Sequence, residues 1–63
     1  MEYYVIKNKE TGNYFRGKGT NRWGKYFNQA SIYRIKAMAE DSAKYIKMYG
    51  EDCEIKTIHI IED

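Results

Sequence analysis

Apolar and polar positions set out a short list of elements. In YYVIKNKETGNYF (3–15), Val5 and Ile6 among tyrosines predict a strand, and KETG predicts a turn. Glu10 and Thr11 suit the centre of a type I turn, with Gly12 as the left-handed residue of a three-residue hairpin loop. That loop pairs Lys9 with Asn13, Lys7 with Phe15 and Ile6 with Arg16. One sheet face then carries Tyr3, Val5 and Phe15 and reads as core. The other carries Tyr4, Ile6, Tyr14 and Arg16. In AMAEDSAKYIKMYG (37–50), Ala39, Ala43, Ile46 and the Tyr49/Gly50 end recur at helical spacing. Glu40 and Asp41 are expected in the first turn and Lys44 and Lys47 toward the end, in keeping with the helix dipole. Glu40 and Lys44 form an i,i+4 pair, and Gly50 is a natural residue just past the end.

Residues 30–35 admit two readings. Asn28 can cap a longer helix whose stripe continues through Ile32 and Ile35, or SIYRI, rich in β-branched and aromatic residues, forms a short third strand. The strand is preferred. CEIKTIHII (53–61) predicts the last strand, with Cys53, Ile55, Thr57, His59 and Ile61 on one face and Ile58 and Ile60 on the other. Apolar residues on both faces indicate a strand covered twice, bulged, or met by a partner chain. The fold class expected is α+β: a mainly antiparallel sheet of three or four strands with one helix on one face, in the order β-β-β-α-β.

Size changes the picture next. A single domain spanning 1–63 buries only roughly 60% of its unfolded surface, so its core is marginal, and small domains often add a staple or a partner. Cys53 is the one cysteine, which excludes an internal disulfide and suits a reducing cytoplasm. There is no apolar run near the ~20 residues needed to cross a bilayer, and no membrane partner is expected. Charge is unevenly spread. Residues 1–36 hold eight Lys/Arg against two acids, and residues 37–63 hold three lysines against seven acids. Such polarity either steers an anionic partner or joins the two halves within the fold.

Candidate chemistry centres on YFRGKGTNRWGKYF (14–27), which has five aromatics, four basic residues, three glycines and no acid. Arg16, Lys18, Arg22 and Lys25 are candidates for phosphate contacts, with Trp23 and Tyr26 to stack on bases. The competing reading turns Trp23 and Phe27 inward to close the core. GTNRWGKY (19–26) approaches the phosphate-loop pattern but has Tyr26 where a Ser or Thr hydroxyl is required. Cys53 and His59 lie roughly 20 Å apart along a strand, too far to act together. Asp41, Glu51, Asp52 and Glu54 read as solvated acids. No catalytic residue, metal site or cofactor is expected, and the chain does not read as an enzyme. Tyr4, Ile6, Tyr14, Ile58 and Ile60 are the candidate interface, since one helix covers only one face of a sheet. A homodimer or a foreign partner would cover that patch.

Two resemblances bear on function. YYVIKNKETGNYF, Trp23, ASIYRIKAMAEDSAKYI and CEIKTIHIIE together resemble small uncharacterised proteins of phages and prophages of Gram-positive bacteria, over nearly the whole chain. That resemblance implies a hairpin, a tryptophan loop, a short Ala-x-Ile-Tyr strand, a helix and a closing strand. It implies a phage accessory protein acting in the bacterial cytoplasm on a host macromolecule, in the first place a protein. Arg16-Gly17, followed after five residues by WGKY at Trp23 to Tyr26, is similar to a segment of the plant ethylene-response-type DNA-binding domain. The Leu-Gly-x-Phe strand of that family is absent here. This second resemblance implies nucleic-acid binding through the basic loop as the alternative function.

Overall fold

The helix and the last strand follow the periodicity closely. The computed structural model describes residues 1–17 and 21–60. Strand β1 is Glu2–Asn8, β2 Tyr14–Phe15, β3 Trp23–Gly24 and β4 Cys53–His59; helix α1 is Lys36–Met48. A single 3-10 turn, Phe27–Gln29, lies between β3 and the helix. The four strands form one antiparallel sheet in the order β3-β2-β1-β4, and α1 rests on β1 and β4. The fold is the expected α+β arrangement.

The hairpin register differs from expectation by one residue. Lys7 stands opposite Tyr14, where Phe15 is expected. Asn8 is the cause. Its side-chain Oδ1 accepts the backbone N–H groups of Glu10 (2.8 Å) and Thr11 (3.1 Å), and its carbonyl accepts Gly12 N–H at 2.9 Å. Asn8 N–H donates to Asn13 O at 2.8 Å. The loop is therefore Lys9–Gly12, with Gly12 at φ +76°. One extra loop residue turns every β2 side chain to the opposite face. Phe15 now shares a face with Ile6 instead of pairing with Lys7, so the two large apolar side chains are buried together.

Most of the core lies on the helix side of the sheet, while Val5, 1% exposed, is buried on the other side beside Lys56. Ile6, Phe15, Ala43, Ile46 and Cys53 form one buried cluster, with Trp23, Tyr33, Tyr45 and Ile55 against it. Ile6 and Ile55 are cross-strand partners. Ala39, Ala43 and Ile46 are the buried helix residues, as the spacing predicts. The small alanines let the helix axis approach the sheet, and the larger Ile46 joins the core cluster with half-buried Tyr45 against it. Helix α1 starts at Lys36 after Ile35, which offers no side-chain cap, so Glu40 and Asp41 fall in the second turn and not the first.

The third strand is also not where SIYRI placed it. Strand β3 is Trp23–Gly24, paired with Phe15 and Tyr14. Tyr33 contributes one bridge, exchanging backbone bonds of 2.8 Å with Tyr4 in both directions. The chain thus leaves the flank of β1 after Phe15 and returns to it at Tyr33. Ser31 closes the excursion: its N–H donates to Phe15 O at 2.9 Å and its hydroxyl to Arg16 O. Tyr33 then donates its hydroxyl to Ser42 Oγ on the helix at 3.0 Å.

Candidate binding surfaces

The basic loop is divided by Glu51, which is expected from sequence to be a solvated acid. The helix ends in a two-bond cap. Gly50 N–H donates to Lys47 O (3.0 Å) and Glu51 N–H to Ile46 O (3.4 Å), with Gly50 at φ +78°. This turn aims the Glu51 carboxylate across the helix end toward the loop. One oxygen accepts from Arg22 Nη2 at 3.0 Å and the other from Trp23 Nε1. The Arg22 guanidinium also lies over the Tyr49 ring at 4.8 Å, and the Tyr49 ring meets that of Tyr45 at 4.9 Å, tilted by 56°. The hydrogen bond to Tyr45 is the largest cause pushing the Tyr49 phenol above its ordinary pKa. Trp23 itself is half-buried, with its ring edge-on to Phe15 at 5.6 Å. The sequence signal for Glu51 is local only as far as Gly50; its partners lie 28 and 29 residues away.

The six candidate contact residues of the loop therefore separate. Arg22 and Trp23 turn toward Glu51. Arg16, Lys25 and Tyr26 remain exposed, with Lys25 Nζ 5.8 Å from the Tyr26 ring centre. Lys18 lies outside the described residues. Gly24 is needed for space: a Cβ there would sit 2.7 Å from Gln29 Cβ and 2.9 Å from Arg16 Cδ. Gln29 Oε1 in turn accepts the Tyr26 N–H at 3.1 Å, which folds the 3-10 turn back over β3.

The five candidate interface residues separate as well. Ile6 is fully buried under the helix, and Tyr4 shares its side of the sheet. Neither belongs to the helix-free face, and the one-residue shift of the hairpin is the reason for Ile6's partnership with Phe15. Tyr14 and Ile58 do lie on the helix-free face, both half-buried. Ile60 follows the end of β4 and is exposed, its N–H donating to Met1 O at 3.3 Å. Ile61 lies outside the described residues.

What occupies the helix-free face is a mixed apolar and charged surface. Tyr3 stands opposite Ile58, Val5 opposite Lys56, and Lys7 opposite Glu54. Tyr14 extends the row and meets Phe27 edge-on at 5.6 Å. Phe27 is 45% exposed and Tyr26 62%. Lys7 Nζ lies 5.4 Å from the Tyr14 ring centre, and Lys56 pairs with Glu54 at 3.3 Å. Tyr3 and Phe27 are not among the interface residues expected from sequence. Alternation groups Tyr3 with Val5, but on the face expected to meet the helix, and the structure turns that face away from it; Phe27 reaches the same face through the 3-10 turn.

Cys53 is buried at the start of β4, and burial is the main cause holding its thiol above the ordinary pKa. Among the described residues no group of three or more His, Cys, Asp or Glu converges as a metal site, and no helix is long and apolar enough to cross a membrane. No protein-family model, curated protein or solved structure matches the chain.

Proposed function

We propose that this chain is a non-enzymatic interaction module that docks a folded protein through the helix-free face of its sheet. The observation that carries the reading is the composition of that face. Tyr3, Tyr14, Phe27 and Ile58 give it aromatic and aliphatic surface, while Lys7, Lys56 and Glu54 give both signs of charge around them. Protein interfaces are enriched in Tyr and Phe and depleted in charge at their centres. A polyanion is a poor fit to a surface that holds Glu54 between its two lysines. In line with the resemblance to small phage proteins, the partner is a host protein and the setting the bacterial cytoplasm.

Nucleic-acid binding is the second reading. Exposed Arg16, Lys25 and Tyr26 favour it; the engagement of Arg22 and Trp23 with Glu51 weighs against it. Titration with single- and double-stranded DNA and RNA at low and moderate salt separates the two. The protein-docking reading expects no salt-dependent binding. A logarithmic slope near −0.9 per duplex phosphate contact, reduced by Lys25→Ala with Arg16→Ala, would replace it with the second reading.

A further inference from the structure

The outer edge of β4 is a self-complementary strand, and we infer that two copies of this chain pair β4 to β4 in one antiparallel register. Strand β4 is the last in the sheet order, and among the described residues no strand pairs with its outer side. The direction of its backbone groups follows from the ladder with β1. Lys9 N–H donates to Asp52 O at one end, and Ile60 N–H to Met1 O at the other. Both bonds belong to the register that pairs Lys7 with Glu54, Val5 with Lys56 and Tyr3 with Ile58. Antiparallel bonding alternates along a strand. Residues 54, 56 and 58 therefore bond to β1, and Cys53, Ile55, Thr57 and His59 direct their N–H and C=O groups to the open edge.

Two-fold pairing about an axis normal to the sheet keeps each face with itself. Centring it on Glu54 or Lys56 sets like charges opposite each other. Centring it on Thr57 sets Lys56 against Ile58. Centring it on Ile55 sets Ile55 against its copy and Cys53 against Thr57, using the outward backbone groups of all three. The same register sets Glu54 against Lys56 of the second copy, twice, at the closely spaced positions between those bonds, where opposite charges stabilise.

The helix accommodates this dimer. It lies over β1 and β4. With strands about 4.8 Å apart, helices centred between β1 and β4 come to roughly 10 Å from each other, an ordinary helix-packing distance. Growth also stops at two copies. The other edge is the two-residue β3, too short to template a further strand, and in-register parallel stacking would set Lys56 on Lys56.

The test uses charge reversal and its complement. Wild-type protein should sediment as a dimer from tens to hundreds of micromolar. Lys56→Glu alone and Glu54→Lys alone should each raise the dissociation constant at least about tenfold, or 1.4 kcal/mol. An equimolar mixture of the two variants should restore the dimer. Amide exchange on wild-type protein supplies a reading that needs no variant: Ile55 and Thr57 amides should become more protected as concentration rises. A wild-type monomer throughout that range, or Ile55 and Thr57 exchange independent of concentration, would overturn the inference. So would a dimer that neither substitution weakens.

Discussion

Replacing Glu51 by alanine should loosen the tryptophan loop at a cost set by two lost hydrogen bonds. Glu51 is the shared acceptor of Arg22 and Trp23, and the Arg22 and Glu51 side chains are 27% and 28% exposed. A partly exposed ion pair of this kind contributes roughly 0.2–1 kcal/mol. A hydrogen bond to a charged group adds about 1.5–3 kcal/mol, and the lower end applies here because the half-buried indole can regain water. The expected loss is about 1.7–2.5 kcal/mol. Typical stability per residue gives a chain of 63 about 3–9 kcal/mol in total, so the loss is about a fifth of it or more. Glu51→Gln keeps one neutral acceptor and should lose about half as much. Trp23 is the sole tryptophan, so urea unfolding followed by its fluorescence reports both stability and local exposure. Glu51→Ala should lower the midpoint and shift native-state emission to longer wavelength. Combined with Arg22→Ala, it should cost less than the two single losses together. A change within about 0.5 kcal/mol, with emission unmoved, would mean that the carboxylate does not hold the loop.

Gly24→Ala should destabilise by about 1–3 kcal/mol through overpacking against Gln29, measured by the same urea titration. The corrected hairpin register predicts contrasting outcomes on the two faces: Ile6→Ala should cost about 2–5 kcal/mol, a large share of the total, whereas Tyr3→Ser should cost only about 0.2–1 kcal/mol, both read by urea unfolding followed by circular dichroism. Cys53 should resist alkylation in the native state at neutral pH and react once urea unfolds the chain. Because burial raises its thiol pKa in the folded state, the folded chain holds that proton more tightly than the unfolded chain. Its contribution is full below the unfolded thiol value of about 8.5 and falls as pH rises above it. Wild type should therefore lose stability relative to Cys53→Ala across that alkaline window.

Periodicity carried the helix and β4 because their patterns are long and lie on one side of a continuous core. Ala39, Ala43 and Ile46 form a stripe at helical spacing, and the two faces of β4 alternate as the sequence has them. The hairpin was legible as an element but not in register. Its loop length was decided by the Asn8 side chain, whose carbonyl competes for Glu10 and Thr11 N–H. The residues around Tyr33 resisted assignment because they make one bridge to β1 and then enter the helix, so neither period has room to develop. Strand β3 is two residues, one of them a glycine chosen for space. Glu51 was hidden for a different reason: its partners are distant in sequence, and only the closed fold brings the acidic second half of the chain onto the basic loop. That contact decides how the opening aromatic stretch divides between anchor and exposed surface.

Face-resolved photo-crosslinking tests the proposed docking surface most directly. A photoreactive residue is placed at position 3 or 14 on the helix-free face, or at position 44 on the exposed side of the helix, and each folded protein is exposed to bacterial extract. The docking account predicts one discrete protein adduct from positions 3 and 14. It should be competed by unlabelled wild type but not by a folded Ile58→Asp variant, differ in mass from a self-dimer, and be absent from position 44. Equal labelling from all three positions, or an adduct that Ile58→Asp competes as well as wild type, would contradict it.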